Sequence, residues 1–448
     1  MKYFLNYLMA MAIWQLTACP ALAQAPLAPA TATVAPAAAT SAATPVTLAA
    51  VLQAAGASNL TVREYEQRAA QAQADQAKAQ EWWLPSLTAG GRTHYLRGAA
   101  LNSDGRIFSG ISQNYRWAGL GLSADVDFGK GPYLLAAARA RTAAAAYTSA
   151  AERNQLLLRA VQTYYDLQTE QFKADFLLAL AGQADTLARQ LQIQVGAGLR
   201  YQSEYLLAQG NARHLRLSLL QAQVAWRKHS AQLVSLLNLP PGTLLVSADA
   251  ALAPLPPSAA PPTAAPRSAE QRPEFGAFSA QLQATGWQRK AFSQGLRLPR
   301  LRLGVDNGAF GAYGAPVYNT VQLSASLLWT LPLGRLSYNG DLRQLDTRLA
   351  VEQTQLRAFE NRYALEVATA EAQLASSTEQ LAIAREALQL TQETLRQSVA
   401  RQQLGTAKPF EVFQVQQFYL QARLDYLQVI SDYNKAQYAL KVAQGEAL

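Results

Sequence analysis

Two stretches limit what this chain can fold into. Tyr133–Val195 and Tyr338–Gln403 run for about 63 residues each, with no Pro and almost no Gly inside. Such runs predict continuous helices, and at 1.5 Å per residue each reaches roughly 95 Å. A helix of that length cannot be the core of a compact globule and has to pack lengthwise against others. Leu187, Leu191 and Val195, and again Leu388, Leu395 and Val399, recur at spacings of four and seven, the pattern of a coiled-coil-like wall. Composition agrees. About a fifth of the 448 residues are Ala, Gln is plentiful and only 15% are charged, which suits closely packed helices and not a Val/Ile sandwich.

The long stretches belong to a unit written twice. Leu84-Pro85-Ser86-Leu87 returns as Leu298-Pro299-Arg300-Leu301. Asp127-Phe128-Gly129-Lys130 returns as Pro332-Leu333-Gly334-Arg335, and Ala197-Gly198-Leu199 as Leu404-Gly405-Thr406. Three landmarks in one order, roughly 200 residues apart, indicate two copies of a large unit, not a solenoid. Each copy reads as a first helix (Leu48–Trp83; Ala269–Leu296), a strand pair, the long helix, a Gly-containing turn and a return helix (Ser203–Leu237; Phe410–Gln444). Leu-Pro ends each first helix, because the residue before Pro is pushed out of the helical region.

The segments follow from this. Residues 1–23 read as a signal peptide: Lys2, an apolar run to Leu16, and Ala21-Leu22-Ala23 as a cleavage site. Leu16-Thr17-Ala18-Cys19 also resembles a lipoprotein box, which would lipidate Cys19. Residues 24–45 are an Ala/Pro tract expected to be a disordered linker. Residues 46–238 form repeat one, 239–267 a Pro-rich linker, 268–441 repeat two and 442–448 a C-terminal tail.

The strand pairs decide the compartment. Leu120–Phe128 alternates apolar residues with Gly, Ser and Asp; Leu301–Asp306 and Val321–Leu331 alternate similarly, and Leu87–Tyr95 does so more weakly. Alternation gives one apolar and one polar face. In a soluble sandwich the apolar face meets a core. In a membrane barrel it meets lipid, and Asp125, Asp127, Asp306 and Ser324 face a lumen. Trp82, Trp83, Tyr95, Trp117, Phe128, Tyr318 and Trp329 near the strand ends suggest interfacial girdles. The joined helices are too long and narrow to cover the strands as a core, which favours the barrel. Four strands cannot close one, so the chain must oligomerise; three copies give twelve strands, enough to leave an opening.

In unit order, in the Leu-Pro before each strand pair, in the tip Gly residues and in Arg272-Pro273-Glu274, residues 46–441 resemble the TolC-type outer-membrane efflux proteins. The resemblance implies a mainly α fold with a small β part: a homotrimer with a twelve-stranded barrel in outer-membrane lipid and an α-helical tunnel across the periplasm of a Gram-negative cell. It implies partners, a periplasmic adaptor and an inner-membrane pump of the RND or ABC type. It implies passive efflux, with type I protein secretion as the alternative; a periplasmic coiled-coil scaffold without a pore is the reading from another class. Adaptor docking would fall on Gly198, Leu199, Arg200, Leu404, Gly405 and Thr406. A periplasmic gate would involve Glu411, with Gln414 where the family has a second acid, and Arg401 and Lys408 as donors. Arg200 stands where the family has a small hydroxyl residue, and Ala407 where it has an arginine.

Nothing points to catalysis or to a cofactor. His94, His214 and His229 lie far apart and Cys19 is the sole cysteine, which removes a disulfide framework and a Cys/His metal site. The net charge of +9 comes from scattered Lys and Arg, a solvated surface and not a nucleic-acid footprint.

Overall fold

The computed structural model describes residues 43–101, 104–257, 268–295, 297–330, 339–404, 406 and 409–448. The signal peptide, Cys19, most of the first linker, Pro332–Arg335, Gly405 and Lys408 lie outside the described residues. In chain order the elements are β1 (Thr44–Val46), α1 (Leu48–Ser58), α2 (Leu60–Gln80), β2 (Ser86–Leu101), β3 (Ile107–Asp127), α3 (Gly131–Gly196), α4 (Gln202–Leu236), β4 (Leu245–Ser247), α5 (Pro273–Gln294), β5 (Arg300–Ala312), β6 (Tyr318–Leu328), α6 (Gly340–Gln403) and α7 (Pro409–Ala443).

The two long helices are observed at 66 and 64 residues. Helix α3 is the axis of the helical packing, flanked by α2, α4, α5 and α7. The core lies about halfway along it, where Leu156, Leu157, Ala160, Val161, Tyr164 and Leu167 meet Val51, Ala55, Leu233, Leu427 and Ile430. Burial pushes the Tyr164 hydroxyl well above the ordinary phenol range, so it stays protonated and hydrogen-bonds Ser247 and Asp249 at 3.0 and 2.7 Å.

Arg272-Pro273-Glu274 opens α5. The Arg272 guanidinium, 6% exposed, pairs with Glu274 at 2.6 Å and Glu366 of α6 at 2.5 Å and lies over the Phe359 ring. The motif ties the start of α5 to the second long helix.

Two features differ from the sequence reading. The first helix is not continuous from Leu48 to Trp83. It breaks at Asn59, whose backbone is extended. The Asn59 carboxamide oxygen accepts from the Thr61 and Val62 amides, and its nitrogen donates to the Leu236 carbonyl at 2.7 Å. An Asn that caps one helix while gripping another stops the turn repeat there. A single 3₁₀ turn, Glu81–Trp83, then precedes the Leu-Pro.

The tracts read as linkers also contain structure. Thr44–Val46 pairs in parallel with Leu245–Ser247, and Leu245, Ser247 and Leu252 are buried. Composition hid this because side chains from the helices meet the strip's backbone: Ser230 and Gln171 accept from the Leu245 and Ser247 amides, and Asn434 both accepts from Leu255 and donates to Ala253. Satisfied backbone groups can be buried without a regular element.

The other sheet has the antiparallel order β2-β3-β5-β6. Its strands outrun the alternating segments, since β2 continues to Leu101 and β3 begins at Ile107. Ser86 pairs with Ser123, Asp127 with Arg300 and Arg300 with Leu328. All four strand ends that join helices therefore share one end of the sheet, and the hairpin turns lie at the opposite end.

Candidate functional site

Strand register sorts the sheet into two faces. Residues paired across neighbouring strands share a face. Successive cross-strand rungs on one face, counted from the helix-joined end, begin Asp127–Arg300–Leu328 and Asp125–Arg302–Ser326. Next come Ser86–Ser123–Gly304–Ser324, Thr88–Gly121–Asp306–Gln322 and Gly90–Gly119–Gly308–Thr320. Asp125, Asp127, Asp306 and Ser324 thus lie on one face. Arg302 pairs with Asp125, and Arg300 with Asp127, each at 3.2 Å. The opposite face is apolar, and much of it is uncovered within one chain: Leu323 is 75% exposed and Leu87 73%.

The aromatic girdle needs correction. The sixth polar-face rung is Arg92–Trp117–Phe310–Tyr318, and His94 stacks on Tyr115 in the seventh at 5.1 Å between centroids. Trp117 and Tyr318 therefore do not face outward with the leucines. Sequence reading grouped them by nearness to strand ends. Counting alternation back from Asp125 would have put Trp117 on the odd, polar face. Trp82 is packed edge-on to Phe128 at 6.2 Å. Of the girdle residues, Tyr95 does share the parity of Leu87 and the apolar face.

At the far end of the long helices both turns close alike. The Leu199 amide donates to the Gln194 carbonyl, and the Thr406 amide to that of Arg401, each at 2.9 Å. This six-to-one bond marks a Schellman stop, which wants a residue in the left-handed region one position earlier. Gly198 supplies it at φ +74°. The Thr406 hydroxyl adds a second bond to the Arg401 carbonyl. Leu199, Tyr201 and Leu404 project with 74, 79 and 78% of their surface exposed.

The return helices begin with acids held from opposite sides of the turn. Glu204 faces Arg200, after the turn, at 3.7 Å; Glu411 faces Arg401, before it, at 3.9 Å. An acid in a first helical turn also gains from the helix dipole. Gln414 lines an apolar groove of about 530 Å³ between α4 and α7 with Leu206, Gly210, Phe410, Phe413 and Phe418. Asn211 bridges the two helices through Gln416 and Gln417. The sequence reading missed this groove, since its phenylalanines have no repeat-one counterpart.

Among the described residues no helix is long and apolar enough to cross a membrane.

A long helical shaft joined to one end of a four-stranded, two-faced sheet is a fold shared with solved outer-membrane channels. Residues 51–239 match the family model of outer membrane efflux proteins. Solved structures share the fold across both copies. The Campylobacter jejuni CmeC outer membrane channel aligns at TM-score 0.77 and 17% identity over 89% of this chain and 85% of that one. A Pseudomonas aeruginosa membrane protein aligns at 0.75 and 17% over 91% and 92%. The open state of the Neisseria gonorrhoeae MtrE outer membrane channel aligns at 0.72 and 16% over 89% of each. No curated protein sequence matches. The family-model match thus covers the first copy of the unit, and the solved structures extend the likeness in fold over both copies.

Proposed function

We propose that three copies of this chain form the exit duct of a tripartite efflux system. One observation carries the reading: a sheet whose two edges, β2 and β6, are unpaired among the described residues, with its apolar face exposed. Open edges seek partners. In a ring β6 of one copy pairs with β2 of the next, and three copies close twelve strands around an opening. The leucine face then meets lipid, and the Asp/Arg/Ser face lines the lumen. In this assembly the helices continue the lumen as a tunnel through the periplasm.

The exposed tips support contact with a periplasmic adaptor, which would link the duct to an inner-membrane pump. Leu199, Tyr201 and Leu404 offer apolar contact, and Gly198 lets a partner's backbone approach. Glu411 is the gate residue in this reading. Three copies around a narrow mouth would focus a negative field, held in the closed state by Arg401.

Light scattering of the protein in detergent and planar-bilayer recording test the assembly. Trimers that open ion-conducting channels are expected. A monodisperse, water-soluble monomer without conductance would sink the reading.

A further inference from the structure

We infer that the lumenal wall carries a stacking shelf for planar aromatic anions, built from Arg92, Trp117, Phe310 and Tyr318; the inference rests on the duct reading above. The four residues form one cross-strand rung of the polar face. Phe310 and Tyr318 are in ring contact, with centroids 6.2 Å apart.

Trp117 lies down on the wall. A Cβ added to Gly119 would meet its Cζ2 at 2.8 Å, and one added to Gly308 would meet its Nε1 at 2.5 Å. The indole thus fills the trough of the neighbouring glycine rung and does not stand out into the lumen. A ring held flat keeps the passage open and turns its other face to whatever passes.

Charge selects the ligand's sign. Arg300 and Arg302 are neutralised by Asp127 and Asp125. Arg92 sits eight residues farther along the wall, roughly 26 Å at 3.3 Å per residue. Among the described residues it has no ion-pair partner. A guanidinium beside flat rings suits a solute with an aromatic plane and a carboxylate or sulfonate. A small cation is disfavoured at this rung, although bare aromatic faces would attract it.

Naphthalene-1,5-disulfonate and butane-1,4-disulfonate carry the same charge and differ in the ring. Each is added to the hairpin-turn side of wild-type channels in planar bilayers, and block is titrated. The ring compound is expected to block at about tenfold lower concentration. Trp117→Leu should abolish that preference, and Arg92→Gln should raise the blocking concentration of both probes. If Trp117→Leu forms no channels, Gly308→Ala, which displaces the indole, serves in its place. Equal block by both probes in the wild type overturns the shelf while leaving the duct intact. Absence of any wild-type conductance would overturn the duct itself.

Discussion

Helices α3 and α6 hold equivalent places in the two copies and have nearly the same length, yet their surroundings differ. Twenty-two residues of α3 are buried, many of them alanines that let neighbouring axes come close. On α6, among the described residues, six are buried: Glu352, Phe359, Tyr363, Ser377, Leu388 and Ser398. They make one narrow seam, while Val351, Leu365, Ile383 and Leu390 stay 50 to 67% exposed. Duplication supplied two similar rods. The first is the centre of the core within one chain, although Leu178 and Ile193 on it also stay exposed. The second keeps apolar surface exposed, which in the proposed ring a neighbouring copy would cover.

The sharpest way to break this contrast is to charge the α6 face. Leu365→Glu with Ile383→Glu is expected to abolish the trimer and all bilayer conductance while far-UV circular dichroism stays helical. An intact trimer by light scattering would show that another surface joins the copies. Next in size, Leu167→Ala in the α3 core should cost about 2–5 kcal/mol in denaturant unfolding. Ile383→Ala, measured on the dissociated chain, should stay within about 0.5 kcal/mol. Equal costs would erase the distinction between a finished and an unfinished helix.

The sheet carries the same contrast between its faces. Leu323→Arg should cost about 2–4 kcal/mol near mid-membrane, whereas Ser324→Arg should be tolerated and alter conductance. Matching losses at both positions would mean that the faces are reversed. The smallest effect concerns the mouth. Glu411→Gln should reduce cation selectivity, read as the reversal potential in a salt gradient, and Glu204→Gln should change it less. An unchanged potential in Glu411→Gln would return that residue to an ordinary helix-start acid.

Legibility followed the range of the interactions. The long helices, the doubled unit and the strand faces could be read from the chain because periodicity is local. So could the two tip turns, where the glycine is itself the signal. The break at Asn59 could not, because its cause is a bond to Leu236, far along the chain. Nor could the β1–β4 pairing, whose acceptors Gln171 and Ser230 sit on other helices. The Arg92–Trp117 rung was within reach, since Trp117 keeps the parity of Asp125 and needed only to be counted.

The two unpaired edges of the sheet have a genetic consequence. A β2-to-β6 ring has no stable half-measure: two copies still leave two edges open, and the third seals both at once. In the proposed ring one subunit with a spoiled edge would therefore disable the other two. If such a variant is co-expressed with the wild type and incorporated at random, intact ducts should fall as the cube of the wild-type fraction. At equal expression about one ring in eight would survive, so a single defective allele would act as a dominant poison and not as a mild loss of dose.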